Sequence, residues 1–366
     1  MPFDLARFRE RLLDWFAASA RDLPWRRDYA PYRVLVSEVM LQQTQMERVV
    51  PYFNRFLARF PDFDRLAAAG EDELLSAWEG LGYYARARNL QKAARAVVAA
   101  GGRLPEEAED LRELPGVGPY TAAAVAAIAF NRDEAVLDAN VERVLARVLD
   151  VDEPVKAPAV RRQLTAEAAR LLPPGRARDF NQAMMELGAL VCTARSPRCA
   201  NCPLRADCEA LHLGIVNERP VPGKRVTFTP LVVASGVVVR AGRVFIQRRL
   251  PQGVWAGLWE FPGGRVEPGE SPAAAVVREI GEETELAVAA PEGLAVIRHG
   301  YTTYRVELHC FLCAVVPESP PPVLHAAQEY RWARLSELDG LAFPAGHRKL
   351  IDRMRQDIRL CELMEG

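Results

Sequence analysis

Four closely spaced cysteines constrain this chain more than any other feature of its sequence. They lie within 17 residues, at gaps of six, two and five residues: Cys192, Cys199, Cys202 and Cys208. Such spacing, in a chain whose start does not read as a secretory signal, is typical of a metal or cluster site rather than of disulfides. Zinc sites more often combine two CxxC pairs, whereas one CxxC with wider flanking gaps suits a cubane [4Fe-4S] cluster. The spacing therefore favours iron–sulfur and leaves zinc as the alternative.

Length and composition narrow the class of protein. A chain of 366 residues is long enough for two domains, each with its own core. It contains no apolar run of membrane-spanning length, and its first residues alternate charged and apolar side chains, unlike a signal peptide. We therefore expect no membrane association and a reducing, cytoplasmic location. The 47 basic and 48 acidic residues nearly balance, so bulk charge gives no argument for nucleic acid.

The residue pattern predicts two domains of different class. Helical periodicity continues from the start of the chain to about residue 213, which predicts an all-α domain. Prolines and glycines interrupt any period over 214–229, which indicates a linker. Beyond it, 230–366 combines strand-like apolar runs with one helix near 272–284, so the second domain should be α+β.

Two carboxylates stand out in the helical part. Glu38 lies on the apolar stripe of a helix predicted from Pro31 to about Met46. Burial raises the pKa of a carboxyl group, which lets it hold a proton near neutral pH and donate it. The alternative is a structural glutamate paired with an arginine. Asp138 precedes a later helix, and on its own it is most simply explained as the N-cap of that helix.

Two glycine turns are candidates for nucleic-acid contact. The segment from Leu114 to Tyr120 contains Gly116, Val117 and Gly118 between predicted helices, and amides in such a turn can face phosphate oxygens. The second turn carries two aromatic and two basic side chains after Gly80 and Gly82: Tyr83, Tyr84, Arg86 and Arg88. Aromatic rings beside arginines suit insertion into a base stack, although tyrosines also commonly fill cores.

These segments together resemble the endonuclease III superfamily of DNA glycosylases, and within it the MutY family of adenine glycosylases. The resemblance rests on Ser-Glu-Val-Met-Leu-Gln-Gln-Thr at 37–44, the two glycine turns, Leu137 to Asn140 and the four cysteines. It implies an all-α helix-hairpin-helix core with a [4Fe-4S] cluster loop, followed by a Nudix-like α+β domain that senses 8-oxoguanine. The implied parts are a six-helix barrel at about 26–133 and a cluster domain formed by 1–25 with 134–213.

The resemblance also implies roles for individual residues. Glu38 would protonate adenine, Asp138 would stabilise the sugar cation, and Tyr120 and Asn140 would support them. The implied contacts to DNA are Gln43, Tyr83, Arg86, Arg88, Gly116, Val117 and Gly118. The expected substrate is duplex DNA with adenine opposite 8-oxoguanine or G, bound by a monomer at the nucleoid.

The positions of the lysines predict whether strand cleavage accompanies base release. Lyases of the superfamily carry a lysine at the position of Tyr120, and tyrosine cannot form an imine. Only four lysines occur, and none lies in the hairpin or beside Asp138 in the sequence. We therefore expect base release without efficient strand cleavage. The same-fold alternative, an endonuclease III-like glycosylase for pyrimidine lesions, is disfavoured by Tyr120.

The sequence departs from the family pattern at two places. Ala139 replaces the usual Gly after the catalytic Asp, which is tolerated only if the backbone there does not need a positive φ. The expected lesion-sensing residues are Tyr301, Thr302 and Thr303, where the family usually has Phe, Ser or Thr, and His. Because Thr303 lacks an imidazole, we expect the discrimination of 8-oxoguanine from guanine to be weaker or to be achieved in a different way.

The C-terminal domain carries a nearly complete Nudix signature. Four glutamates at its characteristic spacing are candidate Mg²⁺ ligands: Glu270, Glu279, Glu282 and Glu283. Glu285 stands where the signature has Gly; if that position is left-handed, its side chain costs on the order of 1 kcal/mol. The alternative function is therefore a Nudix hydrolase of oxidised nucleotides. The other interpretation of these glutamates is an acidic helix face without activity.

Overall fold

The computed structural model describes residues 3–223, 227–301, 303–357 and 360. Their contacts divide the chain into two compact units, one from Met1–Ala68 with Arg88–Arg225 and one from Ala69–Ala87 with Val226–Gly366. The sequence analysis placed residues 69–87 in the helical barrel, whereas the structure groups them with the C-terminal residues. The predicted domain boundaries themselves stay a prediction. Across the described ranges, no helix has the length and apolar character needed to cross a membrane.

α-Helices are the main regular structure of the first unit, as the periodicity predicts. In chain order, the α-helices of the described residues are α1 (Leu5–Ser19), α2 (Pro31–Leu41), α3 (Met46–Arg59), α4 (Phe63–Ala68), α5 (Glu71–Trp78), α6 (Ala85–Ala99), α7 (Ala108–Leu111), α8 (Pro119–Phe130), α9 (Ala139–Val148), α10 (Pro158–Leu171), α11 (Ala177–Leu190), α12 (Glu209–His212), α13 (Pro272–Thr284) and α14 (Ala345–Met354). Helix α5 belongs to the second unit, and α6 begins there.

Local signals set several helix ends. Asp4 caps α1, because its side chain accepts a hydrogen bond from the amide of Arg7 at 3.1 Å. Pro31 occupies the first turn of α2, where its missing N–H costs nothing. The prediction that α2 reaches Met46 was wrong: α2 ends at Leu41, because Gln43 takes a left-handed conformation with φ 56° and the chain turns into α3.

Helix α8 forms the centre of the first unit. It consists mainly of alanine with valine and isoleucine, most of its residues are buried, and it packs against α2 and α11. Helix α11 also packs against α1 and α9. Small side chains allow such close approach of helices. Residues of α2, including Glu38, and residues at the start of α9 line one cavity together with residues of α8 and α11.

The second unit contains a mixed sheet with a helix on each face. Its strands are β1 (Thr229–Arg240), β2 (Arg243–Arg249), β3 (Trp259–Glu260), β4 (Gly263–Arg265), β5 (Glu292–Tyr301), β6 (Tyr304–Ala314) and β7 (Ala327–Ala333). The main order is β3-β2-β1-β6-β5, with β4 paired to β1 and β7 to β2, and only the β1–β6 pairing is parallel. The predicted α+β class is confirmed.

Side-chain alternation along the strands builds two cores. Val237 of β1 lies in a core with Phe343 and Leu350, which belong to the loop before α14 and to α14. Its neighbour Val238 lies in a second core with Val276 and Ile280 of α13. Successive residues of a strand face opposite sides of the sheet, so one strand can supply both cores.

Two backbone positions settle questions that the sequence raised. Ala139 is the first residue of α9 and is not among the positive-φ residues of the described chain, so its methyl group fits there. Glu285 ends α13 in a left-handed conformation with φ 58° and ψ 6°, and its amide donates to the carbonyl of Gly281. The helix therefore ends as the Nudix pattern requires, but with a strained non-glycine residue.

The strain at Glu285 predicts a stabilising substitution. We expect Glu285→Gly to raise the free energy of unfolding by roughly 0.5–1 kcal/mol, because glycine adopts this conformation without a Cβ penalty. The exposed pair of Glu285 with His325 at 2.8 Å should offset little of that gain. Urea unfolding measures the change, and His325→Gln, which removes the pair alone, is the control. A variant no more stable than the parent would contradict the strain argument.

Candidate active site

One cavity in the first unit gathers all four predicted catalytic residues. It has a volume of about 1180 Å³ and lies among the ends of α2, α8, α9 and α11. Seven residues singled out from the sequence line it: Glu38, Gln43, Gly116, Gly118, Tyr120, Asp138 and Asn140. Residues from distant parts of the chain therefore meet at one place, as the catalytic hypothesis requires.

Glu38 is a buried acid inside this cavity. Only 5% of the residue is exposed, and the hydroxyl of Tyr120 donates to its Oε2 at 3.4 Å. Burial, and secondarily the charge of Asp138, raises the pKa of Glu38 to about 7; the bond from Tyr120 and the charge of Arg26 oppose the rise. The carboxyl group can therefore carry a proton near neutral pH, which is the property expected from its place on the apolar stripe.

Asp138 caps a helix and faces the same cavity. Its Oδ1 accepts from the amide of Val141 at 2.7 Å, and its Oδ2 accepts from Asn140 Nδ2 at 2.8 Å. Burial raises the pKa of Asp138 above its ordinary value, although the bonds from Val141 and Asn140 oppose the rise. These two short bonds stabilise the anion of Asp138, whereas the bond from Tyr120 to Glu38 is long, at 3.4 Å. The N-cap interpretation and the catalytic one are therefore both compatible with the structure.

Arg143 connects this carboxylate to the cysteine segment. Its Nη2 donates to Asn140 Oδ1 and to the carbonyl of Gly188, both at 2.8 Å, and its Nε donates to the carbonyl of Cys192 at 2.7 Å. Asn140 is thereby held with its amide nitrogen toward Asp138. The sequence analysis missed Arg143; its position three residues after Asn140 on the same helix was the available signal.

The four cysteines line one small pocket with apolar neighbours such as Val144, Leu187 and Leu204. Burial, with smaller contributions from the neighbouring cysteine charges, raises the pKa of the Cys202 thiol to about 12. Arg147, which is 2% exposed, donates through Nη1 to Cys192 Sγ at 3.3 Å. Four soft thiolates in an apolar pocket, with an N–H donor to sulfur, fit an iron–sulfur cluster.

The hairpin turn demands glycine at one position. Gly116 has φ 77°, and a Cβ there would lie 2.4 Å from Asn89 Cβ. Gly118 caps α8, while the side chain of Val117 is 6% exposed. Any contact of Val117 with DNA would therefore be through its backbone. The exposed Gln43 lies in its own left-handed turn across the cavity.

The second glycine turn lies mostly in the second unit. Tyr83 is 41% exposed and Tyr84 only 6%, so the insertion and core interpretations each suit one of the two rings. Arg86 donates to the carbonyls of Leu81 and Gly82, and its guanidinium lies over the Tyr83 ring. It braces the turn from within. Arg88 is half-buried. It is the first residue of α6 that belongs to the first unit.

The lesion-sensing loop is described only in part. Thr302 and the side chain of Tyr301 lie outside the described residues. Thr303 is exposed in the turn between β5 and β6, and its carbonyl accepts from the amide of Thr229 at 2.8 Å. Its predicted role in discrimination stays a prediction.

Three of the four Nudix glutamates form ion pairs with one arginine. Arg278 forms ion pairs with Glu270 at 2.9 Å, and with Glu279 and Glu282 at 3.0 Å. Glu283 is separate: its Oε2 accepts from the amide of Gly263 at 3.0 Å. Within the described ranges, these carboxylates are not gathered in positions to hold a metal ion. The crowded carboxylates need a positive charge near them, which the sequence pattern led us to expect from Mg²⁺. In the structure Arg278 provides a positive charge there, and the Mg²⁺ site stays a prediction.

Lys156 is an unexpected neighbour of the catalytic candidates. The sequence analysis placed no lysine beside Asp138, yet Lys156 lines the same cavity. Its Nζ pairs with Glu142 Oε2 at 2.6 Å, and Glu142 lies one helical turn after Asp138. Sequence distance concealed this proximity, because Lys156 follows the end of α9.

Three protein families match successive parts of the chain. Residues 36–170 match the HhH-GPD superfamily base excision DNA repair proteins, residues 192–208 the iron-sulfur binding domain of endonuclease III, and residues 234–353 the NUDIX domain. The solved structure of a thermostable thymine-DNA glycosylase is 30% identical with a TM-score of 0.53, and the match covers 57% of this chain and 97% of that one. Fold and family matches together place the chain in the HhH-GPD superfamily of base excision DNA repair proteins, with an iron–sulfur binding segment of the endonuclease III type.

Individual relatives narrow this class. The adenine DNA glycosylase of Mus musculus is 37% identical over 321 residues, and that of Buchnera aphidicola subsp. Baizongia pistaciae is 32% identical over 258 residues. The first match covers 73% of this chain and 62% of the mouse protein; the second covers 70% of this chain and 73% of its relative. The chain belongs to the adenine DNA glycosylase family. It spans under two thirds of the mouse protein's length.

The raised pKa of Glu38 makes stability depend on pH. The folded state holds this proton up to about pH 7, whereas an unperturbed glutamate loses it near 4.5, so the free energy of unfolding should fall as pH rises through that window. Glu38→Gln cannot ionise, and we expect it to be more stable than the parent at pH 8 by about 2–3 kcal/mol, with a smaller difference at pH 5.5. Urea unfolding at both pH values measures this.

The exposed Glu10→Gln is the control for charge removal and should leave the pH dependence of the parent unchanged. An equal stability difference between the Glu38→Gln variant and the parent at pH 5.5 and pH 8 would show that burial does not raise this pKa.

Proposed function

We propose that the chain is a monofunctional adenine DNA glycosylase, which hydrolyses the N-glycosidic bond of adenine opposite 8-oxoguanine or guanine in duplex DNA. The observation that carries the proposal is the buried Glu38, whose pKa of about 7 lets it hold a proton in a cavity that Asp138 also lines. Family membership supports adenine as the base. We expect the chain to act as a monomer, in the cytoplasm at the nucleoid.

The cavity suits an extruded nucleotide. A base inside a duplex is unreachable, and flipping it out costs a few kcal/mol, least at a mispair. The volume of about 1180 Å³ is ample for one nucleotide. There, the Glu38 carboxyl group would donate its proton to a ring nitrogen of adenine, so that the base leaves as a neutral molecule. Tyr120 orients this carboxyl group through its hydrogen bond to Oε2.

Asp138 then faces the positive charge that develops on the sugar. Its anion is favoured by the bonds from Val141 and Asn140, and Arg143 fixes the orientation of Asn140. Two carboxyl groups with opposite protonation states thereby divide the work of acid and electrostatic stabiliser. Water completes the hydrolysis at the sugar.

The cysteine segment supports DNA binding rather than the hydrolysis. When bound, the cluster shapes the loop between its ligands, and three arginines in and beside that loop are exposed: Arg195, Arg198 and Arg205. Arginines in this position can contact backbone phosphates, as can the amides of the hairpin turn. Affinity for duplex DNA should therefore fall with increasing salt.

Tyr120 and the ion pair of Lys156 argue against strand cleavage. Imine formation needs a neutral amine, and the Lys156 ammonium is paired with Glu142. We expect released adenine without strand nicks, and no borohydride-trapped adduct above that of Lys156→Arg. Nicks or trapped adducts that disappear in Lys156→Arg would contradict the monofunctional assignment while leaving base release intact.

The central test uses duplexes with A:8-oxoG, A:G or an oxidised pyrimidine. We expect adenine from the first two, and about a thousandfold loss of the single-turnover rate in Glu38→Gln, because proton donation contributes on the order of 10²–10⁴. Above pH 7, the parent rate should fall about tenfold per pH unit as Glu38 ionises. Absence of adenine, or its unchanged release by Glu38→Gln, would reject the proposal.

Glu260 provides the matched control. It is also fully buried, with its pKa raised to about 7 by burial, but it lies in β3 of the second unit and does not line the cavity. Glu260→Gln should keep the pH profile of base release.

The same protein preparation tests the two alternative functions. Release of phosphate or pyrophosphate from 8-oxo-dGTP with Mg²⁺ would indicate a Nudix hydrolase. Release of an oxidised pyrimidine base would indicate an endonuclease III-like glycosylase.

The bonds of Arg143 predict a specific defect in the chemical step. Arg143→Met should lower the single-turnover rate at saturating DNA at least tenfold, because Asn140 is no longer held against Asp138. Arg178→Met is the matched control: this arginine donates to the carbonyls of Ile128 and Ala129, away from Asp138. Equal rates for both variants would show that Arg143 acts only on folding.

A further inference from the structure

The second glycine turn is tied to the C-terminal α+β domain at its first end. Glu79 directly follows α5 and precedes Gly80. Its carboxylate forms a bidentate ion pair with Arg348 of α14, with distances of 2.7 Å from Nε to Oε1 and 2.9 Å from Nη2 to Oε2. Side-chain exposures of 15% and 20% show that the pair is largely removed from water. Bidentate geometry and partial burial make it stronger than a surface ion pair.

The other end of the turn is tied to the same place. The hydroxyl of Tyr84 donates to the carbonyl of Phe343 at 3.1 Å, while the amide of Phe343 donates to Glu79 Oε1 at 3.3 Å. Both polar backbone groups of one residue therefore hold the two ends of the turn. The side chain of Phe343 is fully buried in the core beneath α14 and stacks on Phe261. The turn is thus anchored to a residue of the buried core of this domain.

Within the turn, the backbone is shaped to present a single ring. Gly80, Gly82 and Tyr83 all have positive φ, at 95°, 71° and 48°. The indole nitrogen of Trp78 donates to the carbonyl of Gly82 at 3.1 Å, and Arg86 braces the turn from inside. Tyr83 remains 41% exposed. A non-glycine residue in the left-handed region persists only where its surroundings hold it there.

We propose that Glu79 and Tyr84 are positioning residues through which the C-terminal domain holds Tyr83 ready for insertion into the DNA base stack. The proposal rests on the proposed function, because it needs a duplex as ligand. It gives the C-terminal domain a second task besides lesion recognition: a fixed support for a wedge formed by residues 80–84.

Preorganisation gives the physical reason for this support. Unstacking a base step costs a few kcal/mol, and a ring on a loose loop would have to be ordered at the same moment. A ring already held in place avoids that ordering cost. The ties should therefore act on DNA affinity and leave the rate of the chemical step in the saturated complex unchanged.

A matched variant distinguishes the positioning of Tyr83 from a purely structural role of the Tyr84 hydroxyl. Tyr84→Phe removes one hydroxyl that donates to a backbone carbonyl in a buried setting. Tyr32→Phe does the same in the first unit, where Tyr32 is 8% exposed and its hydroxyl donates to the carbonyl of Phe60 at 2.7 Å. The two changes remove comparable hydrogen bonds, but only one lies at the wedge.

The experiment measures binding of the full chain, with Glu38→Gln added to prevent turnover, to an A:8-oxoG duplex by fluorescence anisotropy. We expect Tyr84→Phe to raise Kd about tenfold and Tyr32→Phe to raise it no more than twofold. In a Tyr83→Ala background, Tyr84→Phe should add less than twofold. With Glu38 restored, Tyr84→Phe should change the single-turnover rate at saturating DNA by less than twofold.

Glu79→Gln is the second variant, which keeps the shape of the side chain and removes only the charge of the ion pair with Arg348. It should also raise Kd, and it decides the question if Tyr84→Phe folds poorly. The inference is overturned if Tyr84→Phe weakens binding no more than Tyr32→Phe, or equally with and without Tyr83. It is also overturned if the chain binds no duplex. A chain that binds duplex but releases no adenine rejects the proposed glycosylase alone, and the binding cycle still decides the role of the ties.

Discussion

The loss of water around one carboxyl group is the constraint on which the site depends. Glu38 lies on the buried stripe of α2, where burial raises its pKa to about 7. A charged carboxylate there would cost several kcal/mol without a full set of partners. The hydrogen bond that Glu38 receives from Tyr120 is long, at 3.4 Å. The site therefore retains an acid at the expense of stability, as functional sites commonly do.

Arginines that bond to carbonyl groups join this site to the rest of the first unit. Arg143 links Asn140 to the carbonyl of Cys192, and the buried Arg147 links Cys192 Sγ to the carbonyl of Thr193. Each guanidinium satisfies several acceptors that would otherwise be buried without partners. The cysteine segment is consequently part of the support for Asp138, although its ligands are far from Asp138 in sequence and take no part in the proposed proton transfer.

Local patterns predicted the elements well and their ends less well. Asp4 and Pro31 mark the helix starts that they predict, and the α+β class of the C-terminal domain is confirmed. The end of α2 was missed because Gln43 is an unusual residue for a left-handed position. In the C-terminal domain, β3, β4, β7 and α14 were not predicted; β3 and β4 have two and three residues, too few to show alternation. Lys156 was missed because proximity to Asp138 arises from helix packing, not from spacing along the chain.

The sequence by itself determined the class of the protein, its cluster cysteines and its two candidate carboxylates, because spacing, amphipathic period and rare residue types are local properties. Tertiary structure alone decided which of those residues meet in space. It placed Glu38, Tyr120 and Asp138 in one cavity, and it gave the Nudix glutamates an arginine as counter-charge. It also tied both ends of the Tyr83 turn to Phe343, more than 250 residues along the chain. Such contacts depend on which helix faces pack, and packing is set by the whole core.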